Sequence, residues 1–219
     1  MSGPGRRIGL LGGSFNPAHG GHRRISLFAC GALGLDEVWW LVSPGNPLKP
    51  KAGMAPLSAR FASATAQTRH APIRVTAVER ELGTRYTSRT LKALRMRYRQ
   101  HQYVWLMGSD NLAQFHLWRD WRSIARQMPI AVIARPGYDG EAIASPAMAW
   151  LGRFRVPAAR LKRGDWRAPA LVILRFDPDP RSATALRQQD PEWSLRFAGR
   201  MARDHVTNSL ILDDTEIAA

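Results

Sequence analysis

The feature that most constrains this chain is a repeated alternation of short apolar runs with helix-like patterns. The β-prone apolar runs lie at about 8–11, 37–43, 73–78, 103–107, 130–134 and 170–175. Between most of them, apolar residues recur at three- and four-residue spacing, as on one face of a helix. Because strands that alternate with helices favour parallel pairing, we expect an α/β protein. The predicted architecture is an open, mostly parallel sheet with helices on both faces, followed by a C-terminal helical segment.

The length and the even composition of the chain predict one globular domain. The chain has 219 residues, enough to bury a substantial core. It contains no internal repeat, long linker or low-complexity tract. We predict a single domain over residues 1–219, with a short C-terminal helical part at about 182–210. Within that part, Pro191 to about His205 reads as a terminal amphipathic helix.

The charge of the chain predicts anionic ligands. There are 32 Lys and Arg against 17 Asp and Glu, a formal net charge of +15. Such basicity suits nucleic acid, an anionic membrane surface or small phosphorylated substrates. The arginines are dispersed along the sequence, which weakens the nucleic-acid interpretation, so we expect no nucleic-acid partner. No apolar run approaches the length of a membrane span, and the single cysteine, Cys30, suits a reducing compartment. We therefore expect a cytoplasmic protein without a membrane partner.

The loop after the first apolar run predicts a phosphate site. Gly12 and Gly13 end the run, and His19 and His22 lie three residues apart where the following helix should begin. Backbone N–H groups and the positive end of the helix dipole favour an anion at such a position. The glycine spacing differs from both the dinucleotide fingerprint and the P-loop. A phosphate site built around two imidazoles is therefore the leading hypothesis.

Two motifs near opposite ends of the chain carry a family resemblance. The segment from His19 to His22 matches His-x-Gly-His, and Ser182 to Arg187 is similar to Ser-Ser/Thr-Thr-x-x-Arg. Together they resemble the histidine-motif nucleotidyltransferase superfamily, which implies a Rossmann-like sheet. Ala183 departs from this pattern, because the family usually has a hydroxyl residue there. We expect phosphate binding to survive this departure with one side-chain contact missing.

Four further stretches narrow the resemblance to the bacterial nicotinate-nucleotide adenylyltransferases and extend it over nearly the whole chain. They are Pro47–Lys49, Arg85–Leu91, Gly108–Leu112 and Phe115–Trp121. The resemblance implies that the phosphate of nicotinate mononucleotide attacks the α-phosphorus of ATP. The products would be nicotinate adenine dinucleotide and pyrophosphate, and no covalent enzyme intermediate is implied.

The same resemblance implies a role for each candidate site residue. His19 and His22 would be the catalytic residues. The expected ATP-binding residues are Gly12, Gly13, Ser14, Phe15, His19, His22, Gly108, Asp110, Ser182, Thr184 and Arg187. Those expected to bind nicotinate mononucleotide are Lys49, Thr87, Trp118 and Arg119, with the Trp118 ring as the flat surface for the pyridine. Mg²⁺ is expected as cofactor, bound mainly through the ATP phosphates, without a dedicated protein ligand.

Two alternatives stay open at the level of sequence. A sister adenylyl- or cytidylyltransferase that uses another phosphorylated acceptor, such as phosphopantetheine, shares both phosphate motifs, although the Trp118 segment argues against it. A basic nucleic-acid-binding protein, suggested by the net charge, would bind duplexes in a salt-sensitive manner without ATP turnover. The sequence leaves open the oligomeric state, the preference for the acid over the amide mononucleotide, and the role of residues 150–169.

Overall fold

The computed structural model describes residues 5–45, 53–84, 86–134, 139–176 and 182–212. Its strands are β1 (Arg7–Gly13), β2 (Glu37–Val42), β3 (Ile73–Thr76), β4 (Gln102–Gly108), β5 (Ile130–Ile133), β6 (Leu171–Leu174), β7 (Ala202–Arg203) and β8 (Leu210–Ile211). Its α-helices are α1 (Gly20–Leu33), α2 (Leu57–Gln67), α3 (Val78–Glu81), α4 (Thr87–Arg97), α5 (Ser109–Gln114), α6 (Trp121–Gln127), α7 (Asp139–Ala144), α8 (Pro146–Leu151), α9 (Ala158–Lys162) and α10 (Ala183–Gln189).

The main sheet has six strands in the order β3-β2-β1-β4-β5-β6. The β1–β4, β4–β5 and β5–β6 pairs are parallel, with Ile8 opposite Tyr103 and Ile130 opposite both Trp105 and Leu171. The predicted α/β architecture, a Rossmann-like parallel sheet with helices on both faces, is confirmed. A separate two-stranded antiparallel sheet, β7–β8, lies near the C-terminus.

The apolar runs form strands because both faces of the sheet are covered. Every residue of β2, which reads Glu-Val-Trp-Trp-Leu-Val, is buried, and β5 is buried throughout. Continuous apolar strands are expected where helices shield both faces, because no side of the strand meets water. The one acidic residue of β2, Glu37, is 7% exposed and accepts a hydrogen bond from Arg6 at 2.7 Å. The pairing compensates the cost of burying the carboxylate.

The chain divides into two compact units. The first contains Met1–Leu11, Ile25–Val38 and Tyr86–Pro178, and the second contains Gly12–Arg24, Trp39–Arg85 and Asp179–Ala219. The first unit therefore includes β4 to β6 and α4 to α9. The second includes the loop after β1, α2, β3, α3, α10 and the β7–β8 hairpin. This division does not test the predicted single domain over residues 1–219, which stays a prediction.

The predicted terminal amphipathic helix from Pro191 to His205 is wrong. Only Trp193–Phe197 is helical, as a short 3-10 segment, and Ala202–Arg203 is a strand. Gly199 has a φ of +69°, a conformation that interrupts a helix. The buried Asp204 carboxylate then accepts hydrogen bonds from the backbone N–H groups of Val206 at 2.8 Å and Thr207 at 3.0 Å. Side-chain capping of this kind favours a turn over the helix that the apolar spacing suggested.

The stretch from Trp150 to Pro169, which the sequence left unassigned, is ordered around short elements. It contains the end of α8, a 3-10 turn over Gly152–Phe154, and α9. Arg155 forms an isolated parallel bridge with Leu171, which attaches the stretch to β6. It therefore belongs to the edge of the sheet and is not a linker.

Two further findings bear on the composition. Within the parts of the chain that the structure describes, every helix is too short or too polar to cross a bilayer. Burial raises the pKa of the Cys30 thiol to about 11, and the nearby carboxylates of Asp36 and Glu37 act in the same direction. A thiol with such a pKa stays protonated near neutral pH and is a weak nucleophile. Cys30 therefore acts as a packing residue.

Candidate active site

The loop that follows β1 is fixed by aromatic packing. Phe15 is buried although its φ is +47°, a backbone region that bulky residues rarely occupy. Its ring stacks on Trp40 with centroids 4.9 Å apart and lies at the same distance from the His22 ring. A side chain at Gly13 would come within 3.2 Å of the Phe15 ring. Glycine at position 13 therefore lets the predicted phosphate loop, Gly12 to Phe15, pass close to the Phe15 ring that holds the loop in place. Unusual backbone held by packing is typical of ligand sites.

The two predicted catalytic histidines lie together, with ring centroids 3.9 Å apart. The Nδ1 atom of His19 accepts from the Gly21 N–H at 3.1 Å, and the Nδ1 atom of His22 accepts from the His19 N–H at 3.2 Å. A neutral imidazole that accepts at Nδ1 carries its proton on Nε2. Both rings are therefore fixed in the tautomer that donates from Nε2. Such donors suit the oxygen atoms of a phosphate.

Arg60 is a site residue that the sequence interpretation missed. It is 1% exposed, and its guanidinium donates to the carbonyl oxygens of Ala55 at 2.8 Å, Ser14 at 2.8 Å and Ser43 at 2.7 Å. The Ser14 carbonyl belongs to the phosphate loop, and Ser43 follows β2. A buried positive charge therefore joins three loop segments. The signal was present in the sequence, because Arg60 occupies the buried stripe of α2 together with Leu57, Phe61 and Ala64.

Arg187 links the C-terminal motif to the histidine loop. Its Nη1 atom donates to the Asn16 carbonyl oxygen at 2.6 Å, and its Nη2 atom donates to the Thr184 hydroxyl at 3.2 Å. The Asn16 side chain donates to the Gly53 carbonyl at 2.8 Å and accepts from the Ala55 N–H at 3.2 Å. The structure therefore brings the two sequence motifs together within one compact unit, as the resemblance implied.

Ser182 has a structural task at the start of α10. Its hydroxyl oxygen accepts from the Ala185 N–H at 3.1 Å, which is the usual N-cap arrangement. The oxygen is therefore occupied as an acceptor, while its own O–H can still donate. Ala183, the position that departs from the family pattern, is the first residue of α10 and is half-buried. The loss of its hydroxyl leaves the cap intact.

The second group of candidate residues lies in the other unit, where β4 ends. A side chain at Gly108 would come within 2.3 Å of the Asp110 carboxylate oxygen. Glycine is required there because the Asp110 carboxylate folds back over the strand end. Asp110 lies in the first turn of α5 and is partly exposed. Gly108 therefore positions Asp110, and Asp110 has the accessible carboxylate that could accept from a ligand.

Trp118 is held by two aromatic neighbours. It is half-buried, and its ring meets Phe115 at 5.4 Å and Trp105 at 6.2 Å, both near perpendicular. Edge-to-face contacts of this kind fix a ring without covering all of it. Trp121 packs against Phe115 at 5.7 Å and Trp150 at 5.4 Å. The predicted place of Trp118 in the site stays a prediction that this arrangement allows.

Arg119 and Thr87 both adjoin Tyr86. The Arg119 guanidinium lies 4.7 Å from the centroid of the Tyr86 ring, and its Nε atom is 3.9 Å from an Asp120 carboxylate oxygen. Thr87, the residue after Tyr86, begins α4 and is half-buried. Tyr86 therefore connects two positions expected to bind the mononucleotide. Lys49, the remaining expected residue, lies outside the described residues.

Comparison with known proteins agrees with this arrangement. The profile of the cytidylyltransferase-like family matches residues 10–189. A protein of Erythrobacter litoralis (strain HTCC2594) named "Probable nicotinate-nucleotide adenylyltransferase" is 65% identical over 211 residues, covering 96% of each chain. A protein of the same name from Bradyrhizobium sp. (strain ORS 278) is 49% identical over 188 residues, covering 85% of this chain and 98% of that one.

A solved structure shares the fold. The nicotinic acid mononucleotide adenylyltransferase of Plasmodium falciparum complexed with NaAD aligns with a TM-score of 0.60 and 14% identity, covering 84% of this chain and 83% of that one. At this low identity the likeness concerns the fold alone. The sequence relatives decide the family, because they extend over nearly the whole chain. With its profile match, its relatives and both of its phosphate motifs in place, the chain belongs to the nicotinate-nucleotide adenylyltransferase family.

Proposed function

We propose that this protein transfers the adenylyl group of ATP to nicotinate mononucleotide, a step of NAD biosynthesis. The observation that carries the proposal is the joined motif pair: two imidazoles fixed to donate from Nε2, next to a loop whose Asn16 carbonyl accepts from Arg187. The relatives at 65% and 49% identity bear the name of this activity. The two motifs support the proposed phosphate chemistry, and the names of the relatives support nicotinate mononucleotide as the acceptor.

The proposed reaction is an in-line displacement at the α-phosphorus of ATP. A phosphate oxygen of nicotinate mononucleotide forms the new bond to that phosphorus, and the bond to the bridging oxygen of the β-phosphate breaks. Pyrophosphate leaves with the electron pair, and nicotinate adenine dinucleotide remains. Because the attacking phosphate is already an anion, the protein has no proton to remove. Catalysis then depends on alignment and on stabilising the charge of the leaving group.

The histidine loop is suited to that task. We propose that the Nε2–H groups of His19 and His22 donate to the phosphate oxygens where negative charge develops. The buried guanidinium of Arg60 holds the Ser14 carbonyl and adds positive potential beneath the loop. Arg187, with Thr184 and Ser182, would bind the β- and γ-phosphates. These donors are fixed before the substrate arrives, so little reorganisation is needed during the reaction.

Recognition of the acceptor would fall to the residues near Trp118. We propose that the Trp118 ring stacks on the pyridine and that the segments at Thr87 and Arg119 meet its carboxylate, with Lys49 on a substrate phosphate. Asp110 would accept from the adenosine moiety. Stacking on a fixed aromatic ring selects a planar acceptor. Phosphopantetheine, the acceptor of the sister enzymes, has no ring that could use it.

We also propose that Mg²⁺ enters the site on ATP. Mg²⁺ prefers oxygen ligands and retains several waters, whereas the histidine loop offers imidazole and guanidinium N–H donors, which suit phosphate oxygens. Among the described residues, no group of three or more His, Cys, Asp or Glu side chains could hold a metal. The protein would thus bind the ATP phosphates, and those phosphates would bind the ion. When bound, the ion neutralises phosphate charge.

We also propose a cytoplasmic location for the protein, which its use of ATP and its single cysteine support.

The decisive assay compares acceptors. Pyrophosphate release from Mg·ATP should be fastest with nicotinate mononucleotide, slower with nicotinamide mononucleotide and absent with phosphopantetheine. Turnover with phosphopantetheine, and none with either mononucleotide, would assign the chain to the sister activity. Duplex binding without ATP turnover would favour the nucleic-acid-binding alternative.

A substitution at Trp118 tests where the acceptor binds. Trp118→Ala should raise KM for nicotinate mononucleotide about tenfold or more, because stacking on one aromatic ring contributes about 1–3 kcal/mol. KM for ATP should change little. Trp121→Ala is the matched control, because it removes a neighbouring ring that contacts Phe115 and Trp150. Equal effects of Trp118→Ala on both substrates would contradict the assignment.

A further inference from the structure

A basic groove lies beside α4, within the unit that contains Tyr86–Pro178. Its volume is about 580 Å³, and its polar lining residues are Lys92, Arg95, Arg99, His101, Ser123 and Gln127. The three cations follow a spacing of three and four residues, so they share one side of α4 and its C-terminal extension. Lys92, Arg95 and Arg99 are all exposed. The groove therefore has a strongly positive wall, and none of the described residues that line it carries a carboxylate.

The opposite wall of the groove comes from α6. Ser123 and Gln127 are four residues apart, and the Gln127 side-chain amide donates to the Ser123 hydroxyl at 3.2 Å. The Oε1 atom of Gln127 is buried and, among the described residues, has no hydrogen-bond partner. Because this oxygen is closed to solvent, the accessible polar group of this wall is the exposed Ser123 hydroxyl.

Two arginines of α6 and one from the turn after α8 surround a tryptophan. The guanidinium carbons of Arg122, Arg126 and Arg153 lie 5.9, 5.7 and 5.4 Å from the centroid of the half-buried Trp150 ring. Arg122 also lies 4.6 Å from the Trp121 ring. Contact with an aromatic face holds a guanidinium plane while its N–H groups stay accessible. The result is a platform of cationic planes, two of them on the helix that lines the groove and the third, Arg153, in the 3-10 turn after α8.

The cations of this surface have no acidic partner among the described residues. We call the surface the basic face; its cations are Lys92, Arg95, Arg99, Arg122, Arg126 and Arg153. Within the described part of the chain, none of them forms an ion pair with a carboxylate. Elsewhere in the same unit Asp165 pairs with Arg160 at 2.9 Å and with Arg167 at 2.7 Å, and Asp120 pairs with Arg119. Concentrated like charge raises the energy of the folded state, so an anionic partner would relieve it.

We propose that the basic face binds single-stranded nucleic acid. The cations of α4 would contact backbone phosphates, and the arginine planes around Trp150 would stack on bases. This arrangement combines a positive groove with stacking surfaces, which is the usual construction of single-strand binders. The sequence suggested nucleic acid only through its net charge and could not locate a site, because the arginines are gathered by the packing of α4 against α6 and by the contact of Trp121 with Trp150. The proposed binding is independent of adenylyl transfer.

The test uses the full-length protein and a fluorescein-labelled single-stranded RNA of about 12 nucleotides, within the usual site size. Fluorescence anisotropy over a series of KCl concentrations gives the affinity and its salt dependence. Arg95→Gln/Arg99→Gln should weaken binding about tenfold or more and reduce the slope of log K against log[KCl] by about 1.4, the value for two lost phosphate contacts. Lys162→Gln/Arg163→Gln is the matched control, because it removes two exposed charges outside the basic face.

A second arm tests the stacking platform. Arg122→Gln/Arg126→Gln should weaken RNA binding by a similar factor, and every variant should keep the wild-type rate of pyrophosphate release, which shows that it is folded. Equal losses in the Lys162/Arg163 control would overturn the proposal, because the net charge alone would then explain the affinity. Binding of inorganic polyphosphate or a duplex as tightly as the single strand would overturn it as well. So would the absence of RNA binding by the wild type at low salt.

Discussion

At the scale of single residues, the candidate site depends on side chains that fix backbone. Arg60 and Arg187 both donate to carbonyl oxygens of the histidine loop, at Ser14 and Asn16. The imidazoles of His19 and His22 accept from backbone N–H groups at Nδ1 and so carry their protons on Nε2. Fixed donors are more effective in catalysis than mobile ones, because the cost of orienting them is met during folding. Arg60, which positions the loop through the Ser14 carbonyl, is therefore a residue whose substitution tests this idea.

The histidines themselves should control the chemical step. His19→Ala or His22→Ala should lower kcat by about two to three orders of magnitude, the usual loss for one oriented transition-state donor. Steady-state kinetics with Mg·ATP and nicotinate mononucleotide measure the effect. His116→Ala, at a histidine outside the phosphate motifs, is the control and should keep most of the activity. Turnover near the wild-type level in both loop variants would refute their catalytic role.

Arg60 should affect ATP more than the acceptor. Arg60→Met keeps the apolar stem but leaves the Ala55, Ser14 and Ser43 carbonyls without their donor. We expect a loss of about 2–3 kcal/mol in the free energy of unfolding and a fall of about tenfold or more in kcat/KM for ATP. Urea unfolding and kinetics with each substrate varied in turn measure these effects.

The variant Arg60→Lys separates stability from positioning. It retains the charge but loses the planar fork that reaches three carbonyls at once. Partial recovery of kcat/KM for ATP, with KM for the mononucleotide near wild type, would support a positioning role. A loss of stability without any change in the ratio of the two KM values would show that Arg60 serves folding alone.

At the scale of elements, short polar caps decide where helices end. The apolar spacing over 142–151 is compatible with one continuous helix, but the structure has two helices here, α7 and α8. Ser145 separates them: its hydroxyl accepts from the Met148 N–H at 3.1 Å, and Pro146 follows at the first position of α8. Proline is favoured at that position because it lacks the N–H that would be unsatisfied there. The apolar periodicity continues through the break, so periodicity alone could not reveal it.

The C-terminal hairpin is held to β3 by two neighbouring residues. The Asp204 carboxylate, 3% exposed, accepts from the Thr76 hydroxyl at 2.9 Å and the Ala77 N–H at 2.6 Å. His205 follows, and its Nδ1 atom accepts from the Val75 N–H at 3.2 Å. These bonds join residues distant in sequence, and they compete successfully with the helical pattern predicted for this segment. The hairpin therefore depends on the protonation of His205.

Acid should weaken this hairpin. Burial, as the largest cause, lowers the pKa of His205 below its ordinary 6.5, while Asp204 raises it and Arg74 lowers it. The folded state thus favours the neutral ring, so the stabilisation is complete above pH 6.5 and is lost as the pH falls through the folded-state pKa. His205→Gln can still accept from Val75 but does not titrate. Below pH 6.5, the urea midpoint of the wild type should fall more steeply with pH than the urea midpoint of the variant. Parallel curves for the two proteins would contradict this prediction.

At the scale of the whole molecule, positive charge is a general property with local consequences. The formal charge of +15 attracts ATP and other polyanions to the protein as a whole. Arg60 and Arg187 use such charge beside the histidine loop, and the basic face concentrates it within the other unit. Specific sites therefore arise where packing aligns the cations, while the remaining arginines raise only the background potential.

Removal of divalent metal should separate catalysis from folding. If Mg²⁺ arrives on ATP, EDTA should abolish pyrophosphate release and added Mg²⁺ should restore it. The Tm of the protein without nucleotide should change by less than about 1 °C, because the folded chain alone would hold no ion for mass action to act on. Thermal denaturation with EDTA or Mg²⁺, with and without ATP, provides the measurement. A large drop in Tm with EDTA alone would reveal a resident metal site instead.

The sequence by itself determined the class of fold and the two phosphate motifs. Apolar runs such as 37–43 indicate strands buried on both faces, and the spacing of His19 and His22 lets the two rings face one point. Tertiary structure alone decided the rest. The Arg187 contact with Asn16, the three carbonyls bound by Arg60 and the hydrogen bonds of Asp204 join residues far apart in sequence. Periodicity reports only local neighbours, so long-range hydrogen bonds of buried polar groups, each too costly to leave unmade, had to be seen in the fold.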